Sequence, residues 1–163
     1  GCFNIEVTSL TRLAYAVFEE QGVTDINVMD DLSKTLVIRK VLEECKDSLL
    51  VYKGKTSMMG FTEKVKTVIS EFRQYNIGQE QLDSICESVD DYPVLKMKFQ
   101  DLSIINDGFN RYIKDKAITS EDLLTLLCGY INKSDYIKNT YFYFDSFTGL
   151  TARDAAFIII QAQ

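Results

Sequence analysis

The sequence predicts a mainly α-helical chain in which a block of helices is inserted between two strand-then-helix units of an incomplete α/β domain. Apolar residues recur at helical spacing over most of the 163 residues, which include only one proline and eight glycines. Short runs of strand-forming residues lie near both ends, and a helix start follows each run. Two strands cannot form a stable sheet alone, so we expect them to belong to a parallel sheet whose other strands lie elsewhere.

The first strand-then-helix unit is predicted in residues 1–27. The strand NIEVT covers residues 4–8, and a helix follows from about residue 11 to 21, with Gly22 as its stop. The predicted buried face of this helix consists of Leu13, Ala14, Val17 and Phe18.

The helical insert is predicted over residues 28–135. Its first helix runs from about residue 31 to 50 and is capped by Asp30 or Asp31. A second helix, from about residue 61 to 76, has the clearest helical period and is predicted to end at Gly78. The apolar face predicted for the first helix contains Leu32, Leu36, Ile38, Val41, Leu42, Cys45 and Leu49.

Three further helices complete the insert. A short one covers QEQLDSICESV, and Pro93 then opens a long helix that extends to about Lys116. Thr119 and Asp122 have the spacing of a capping box at the start of the last helix.

The second strand-then-helix unit is predicted in residues 136–163. The strand occupies residues 140–145, and Thr151 with Asp154 repeats the capping-box spacing before a final helix that begins near residue 152.

Composition excludes several kinds of chemistry. The net charge of −6 argues against broad, non-specific nucleic-acid binding, and the absence of histidine excludes Ser–His and Cys–His catalysis within this chain. The four cysteines are widely spaced, which favours buried thiols in a reducing cytoplasm over a zinc site. No apolar run is long enough to span a bilayer, and Gly1 without a preceding methionine predicts an excised segment.

The first candidate site is the junction SLTRLA. Ser9, Thr11 and Arg12 place hydroxyl groups and a cation at a helix N-terminus, where free N–H groups and the helix dipole favour phosphate. The alternative is that Ser9 or Thr11 only caps the helix.

The second candidate site is Asp145, which follows the strand-forming run YFYF. A carboxylate in this position could hold Mg²⁺ beside a nucleotide phosphate, or it could lie in an ordinary turn. The chain has no GxxxxGK[ST] phosphate loop, and the GKT within YKGKTSMMG lacks the upstream glycine.

Several blocks together resemble one family. SLTRLAYAVF, GFTEKVKTVISEFRQYNI, DLLTLL and YFYFDSFTGLTARD are similar, in this order, to segments of the N-terminal helicase-like region of the B subunit of bacterial AddAB (RexAB) helicase-nucleases. The resemblance implies that the chain is part of a P-loop (RecA-like) domain. It would begin after the phosphate loop and end just beyond the Walker B-like strand, and the helical block would be the inserted subdomain.

The resemblance also implies a function. The B subunit pairs with an A subunit that carries the working helicase motor, and the complex processes DNA double-strand ends for recombinational repair in the cytoplasm. ATP, Mg²⁺ and an iron–sulfur cluster would belong to the intact subunit or complex, with no cofactor held by this chain and no membrane contact.

The resemblance also matches individual residues of this sequence to functional positions of helicases. Ser9, Thr11 and Arg12 fall where superfamily-one helicases have a motif that contacts the single-strand backbone. Asp145 falls at the magnesium aspartate, and Ser146 stands where an active motor has its catalytic glutamate. We therefore expect a non-catalytic segment.

Two other functions account for part of the sequence. A free-standing helical protein–protein interaction module explains the helices but not the paired strand-then-helix ends. A small helical regulator that binds duplex DNA is disfavoured by the negative net charge of the chain and by the lack of a basic recognition helix.

Overall fold

The computed structural model of the chain describes residues 5–145. Within this range the chain is mainly helical, as predicted. Three short 3₁₀ turns lie at Lys46–Ser48, Lys53–Lys55 and Ile131–Lys133. The α-helices are α1 (Leu10–Glu20), α2 (Asp31–Cys45), α3 (Met59–Gln74), α4 (Gln79–Ser88), α5 (Pro93–Ile113), α6 (Ser120–Cys128) and α7 (Asp135–Lys138).

The two predicted strands are not formed within the described range. Residues 5–9 and 140–145 are neither helix nor strand, and no other part of residues 5–145 forms a strand with which they could pair. A strand needs a hydrogen-bonding neighbour, so these segments remain coil when none is present. The helix predicted near residue 152 lies outside the described residues.

The described residues divide into two compact units, one of residues 29–118 and one that combines residues 5–28 with 119–145. The predicted domain limits, 1–27, 28–135 and 136–163, concern the domains of a longer protein and stay a prediction.

The core of the 29–118 unit lies among α2, α3, α4 and α5. Its fully buried side chains are Ile38, Leu42, Ile69, Leu82, Ile105 and Phe109. Gly108 permits the close approach of α5 to α2, because a Cβ atom at this position would lie 2.8 Å from Val41 Cγ1. The two ends of this unit are joined to each other by a backbone hydrogen bond, in which the Met29 N–H donates to the Ile118 carbonyl at 2.8 Å.

Helix α2 differs from its predicted form. Asp30 is the N-cap, with its carboxylate accepting the Ser33 N–H at 2.8 Å, but the α-helix ends at Cys45 instead of near residue 50. Leu32 and Leu36 are 67% and 56% exposed, so their assignment to the apolar face was wrong. The buried stripe passes instead through Lys34, Ile38, Val41 and Leu42.

Two helix ends also differ from prediction. Helix α3 ends at Gln74, before Gly78, because Asn76 adopts a positive φ of 53° and turns the chain. Gly78 is instead the N-cap of α4. Helix α5 begins at Pro93 as predicted, but it ends at Ile113 because Lys114 has an extended ψ of 129°.

The second unit is built on α1, α6 and α7. The predicted apolar face of α1 is confirmed, since Leu13, Ala14, Val17 and Phe18 are all buried. Gly22 follows the end of α1 with a φ of +71°, which fits its predicted role as the stop. The predicted capping box is also formed: Thr119 Oγ1 accepts the Asp122 N–H at 3.4 Å, and Asp122 Oδ2 accepts the Thr119 N–H at 3.1 Å.

Helix α7 was not predicted from the sequence. Its N-cap Ser134 accepts the Ile137 N–H at 3.1 Å, and Glu20 of α1 caps the same end. Glu20 Oε1 accepts the N–H groups of Asp135 and Tyr136 at 2.9 and 3.0 Å, and Oε2 accepts the Ser134 hydroxyl. A helix this short has no periodic pattern to recognise, so its position depends on this contact.

Candidate nucleic-acid interface and nucleotide site

The N-terminus of α1 holds the first predicted site. Ser9 is its N-cap with extended backbone angles of −102° and 160°, and its Oγ accepts the Arg12 N–H at 3.3 Å. Ser9 therefore caps α1, as the alternative interpretation of this junction predicted. Capping by a neutral hydroxyl satisfies one N–H group of the first turn and leaves the positive end of the helix dipole in place.

Thr11 and Arg12 are both exposed at this helix end. The first turn of α1 contains no acidic residue, and the Arg12 guanidinium forms no ion pair with any residue in the range 5–145. A cation and a helix N-terminus that lack an internal anion are suited to a phosphate group. The geometry permits a phosphate contact without requiring one.

The segment before Asp145 is not the buried strand that was expected. Tyr141 and Tyr143 are 91% and 92% exposed, whereas Phe142 between them is half-buried and stacks on Phe144 at 6.4 Å. The Asp145 carboxylate is exposed. The alternation of exposure along these residues is that of an extended segment with one side free.

The structure does not join the two predicted sites. No hydrogen bond or ion pair links Asp145 to Ser9, Thr11 or Arg12 among the described residues. Residues 5–145 also contain no group of three or more side chains that could hold a metal ion. Ser146, which the resemblance sets where an active motor has its catalytic glutamate, lies outside the described range.

Two basic side chains of the long helix α5 are paired with acidic residues. Lys96 pairs with Asp90, and Arg111 pairs with Asp107 at 3.1 Å. Lys98 instead lines a groove. Within residues 5–145, no helix is long and apolar enough to cross a membrane.

Sequence reasoning missed a buried carboxylate in the 29–118 unit. Asp101 of α5 is fully buried, and its oxygens accept the backbone N–H groups of Leu50, Val51 and Tyr52 at 2.7, 2.8 and 2.9 Å. A signal existed, because Asp101 precedes Ile105 by four residues and so lies on the buried stripe of its helix. An acidic residue on such a stripe needs hydrogen-bond donors.

The same contact shapes a groove that the sequence also did not reveal. The cavity has a volume of about 790 Å³ and lies between α3, α5 and the connection that precedes α3. Tyr52 and Phe61 form one wall, with ring centroids 5.0 Å apart. The burial of Tyr52, with a smaller contribution from the nearby charge of Asp101, raises the pKa of its hydroxyl, so this side chain is neutral at physiological pH.

Comparison with known proteins identifies the family. The model of the family described as ADDB, N-terminal, matches residues 1–161. The B subunits of the ATP-dependent helicase/deoxyribonuclease from Lachnoclostridium phytofermentans and Clostridium kluyveri are 34% and 32% identical to the chain over 151 and 158 residues. The corresponding protein from Alkaliphilus oremlandii is 30% identical over 152 residues.

The similarity covers most of this chain and a small part of each relative. The matched segments are 93% of this chain and 13% of the Lachnoclostridium protein, and 97% and 14% for the Clostridium protein. The blocks that suggested the resemblance are thus part of an almost continuous match, and this chain belongs to the ADDB N-terminal family.

Proposed function

We propose that the chain is a non-catalytic segment of a helicase/deoxyribonuclease B subunit that processes DNA double-strand ends for recombinational repair. The match of residues 1–161 to the ADDB N-terminal family carries this proposal. The relatives are named as one subunit of a larger enzyme, which supports a partner A subunit in a heterodimer. In this complex the chain would contribute contacts to DNA and to that partner.

We infer that residues 4–8 and 140–145 are strands of a P-loop (RecA-like) domain in the longer protein. Both segments carry apolar, strand-forming side chains that are largely exposed here, including Ile5, Val7, Tyr141 and Tyr143. Neighbouring strands would cover these side chains and satisfy the free backbone groups. A free-standing interaction module, the alternative function, gives the exposed segments no role.

The site residues fit a segment that binds a nucleotide poorly or not at all by itself. Mg²⁺ is held by one or two carboxylates together with substrate phosphates, and Asp145 is an exposed carboxylate that could supply one ligand. A phosphate loop would have to come from outside this sequence, and Ser146 cannot act as a base. ATP and Mg²⁺ are therefore assigned to the intact subunit or complex.

Two of the described cysteines do not suit an iron–sulfur cluster. Cys45 and Cys86 are half-buried on α2 and α4, and burial raises the pKa of each thiol. Cluster ligands are closely spaced thiolates, so raised thiol pKa values on separate helices oppose this role. We assign any cluster to another part of the subunit.

The DNA contact is proposed for Ser9, Thr11 and Arg12 at the N-terminus of α1. An exposed arginine and a helix end without an acidic residue would bind a backbone phosphate. Such a contact carries no base specificity and depends on ionic strength.

The experiment is Arg12→Ala in the full-length B subunit, assembled with its A subunit. We expect the variant to bind a DNA end several-fold more weakly. The slope of log binding constant against log salt concentration should be smaller in magnitude by about 1, as for the loss of one phosphate contact. Arg39→Ala is the matched control, because Arg39 is an exposed helical arginine in the 29–118 unit. Equal DNA affinity and salt slope in the Arg12 and Arg39 variants would show that α1 does not contact DNA.

A further inference from the structure

We propose that the groove between α3, α5 and the connection before α3 binds an acidic, amphipathic peptide segment of another protein chain. Apolar side chains of the peptide would enter the groove, and its carboxylates would pair with the lysines around it. The proposal concerns the 29–118 unit and does not depend on the proposed DNA contact of α1.

The interior of the groove is suited to apolar side chains. Val65, Val68 and Leu102 lie along it beside the aromatic wall of Tyr52 and Phe61. Met58 borders the groove and is 58% exposed, and the adjacent Met59 extends the apolar surface. Methionine side chains are flexible and polarizable, which suits them to contacts with an incoming hydrophobic surface. A volume of about 790 Å³ can accept more than one anchoring side chain.

The wall of the groove is formed before any ligand binds. Asp101 holds the backbone of Leu50, Val51 and Tyr52 through three hydrogen bonds of 2.7 to 2.9 Å. The Tyr52 ring is thereby fixed against Phe61. A preformed site avoids the entropic cost of ordering a loop on association.

Charge specifies the ligand. Lys55, Lys64 and Lys98 line the groove, and none of them pairs with a carboxylate among residues 5–145. Other lysines of the same unit do form ion pairs with acids, namely Lys40, Lys46, Lys53, Lys66 and Lys96. In a chain with a net charge of −6, three lysines left for external partners around an apolar groove favour an acidic one.

The groove is a poorer fit for nucleic acid. Single-stranded nucleic acid is bound by bases that stack on exposed aromatic faces, but Tyr52 and Phe61 are half-buried and tilted by 44° against each other. The remaining interior is aliphatic or thioether. Such a surface fits the anchor residues of an amphipathic helix laid into a groove.

The test uses a labelled helical peptide with leucines at positions i, i+3, i+4 and i+7 and glutamates on both flanks. Fluorescence anisotropy would measure its binding to the 163-residue chain and to the longer subunit. We expect both proteins to bind the peptide, with affinity that falls as salt rises. A peptide of the same composition with scrambled order should bind about tenfold more weakly or less.

Two sets of variants locate the binding. The double variant Lys64→Glu/Lys98→Glu should bind the peptide at least about tenfold more weakly, whereas Arg39→Glu/Lys114→Glu, with the same change in net charge, should bind like the parent chain. Met58→Asp should also weaken binding while the fold is kept, because Met58 is the N-cap of α3 and makes no side-chain capping bond, and aspartate is a favourable N-cap.

Several results would overturn the proposal. These are equal binding of the scrambled peptide, no loss of binding in the Lys64/Lys98 and Met58 variants, and binding by the chain but not by the longer subunit. The last result would show that the groove is covered within the subunit itself. An oligothymidylate that displaces the peptide would assign the groove to nucleic acid. None of these results bears on the Arg12 test, so the two proposals fail separately.

Discussion

Asp101 and Tyr52 are joined by a hydrogen bond of 2.9 Å from the Tyr52 N–H to Asp101 Oδ2, at a position where the carboxylate is fully buried. The same oxygen accepts the Val51 N–H at 2.8 Å, and Oδ1 accepts the Leu50 N–H at 2.7 Å. One carboxylate on α5 therefore fixes the start of the connection that leads from α2 to α3.

We predict that Asp101→Asn destabilises the chain by about 2–4 kcal/mol, because an amide cannot accept all three N–H groups and leaves buried donors unpaired. Thermal or urea unfolding measures the change. Asp107→Asn on the same helix is the control, since Asp107 forms a surface ion pair with Arg111 and should contribute less than about 1 kcal/mol. Similar losses in both variants would mean that the three N–H contacts do not stabilise the fold.

Gly108 provides a second prediction. Gly108→Ala should cost about 1–3 kcal/mol, because its Cβ would meet the buried Val41 Cγ1 at 2.8 Å and β-branched valine cannot move aside freely. Gly60→Ala, in the first turn of α3, has no atom within 4 Å of its added Cβ and should be neutral or stabilising by up to about 1 kcal/mol. Equal melting temperatures of the two variants would contradict the close approach of α2 and α5.

A third prediction concerns pH. The pKa of Glu20 is lowered chiefly by the hydrogen bond from the Ser134 hydroxyl, against partial desolvation, and also by the N–H groups of Tyr136 and Asp135. Because the folded-state pKa lies below the unfolded value of 4.5, this contact stabilises the fold above that pH. Its contribution is lost as the pH falls through the folded-state pKa.

Glu20→Gln should therefore lower the melting temperature at neutral pH. It should also make the melting temperature depend less on pH in the acidic range. Glu19→Gln is the matched control, because the Glu19 carboxylate accepts no hydrogen bond within residues 5–145. A Glu20 variant whose melting curves match those of the parent chain at every pH would contradict the role of Glu20 at α7.

The features predicted correctly from the sequence are local ones. The Asp30 cap, the Thr119–Asp122 capping box and the start of α5 at Pro93 each depend on residues within one helical turn. The apolar face of α1 was also predictable, because its four apolar residues define one stripe. In α2 the apolar residues cover most of the circumference, so the sequence could not decide that Leu32 and Leu36 would face solvent.

The features that were missed depend on residues far apart in the chain. Asp101 acts on N–H groups 49 to 51 residues earlier, and Glu20 caps a helix that begins 115 residues later. The candidate DNA and nucleotide residues were predicted from short motifs and the family resemblance. Arg12 and Asp145 are exposed, and no hydrogen bond or ion pair joins them within residues 5–145. Under the proposed function, the strands that would place them would pair only in a larger sheet, which no short motif of this sequence can specify.

The Glu20 contact also has a consequence for synthesis on the ribosome. The 29–118 unit is continuous in sequence, so we expect it to fold as soon as it has emerged from the ribosome. The hydrogen bond between Glu20 and Ser134 can form only after a further 114 residues have been synthesised. At about 5–20 residues per second, this interval is roughly 6 to 23 s. During that time α1 lacks α6 and α7, the helices on which it packs. We therefore expect a stalled nascent chain to expose the apolar face of α1 to chaperones until residue 137 has emerged.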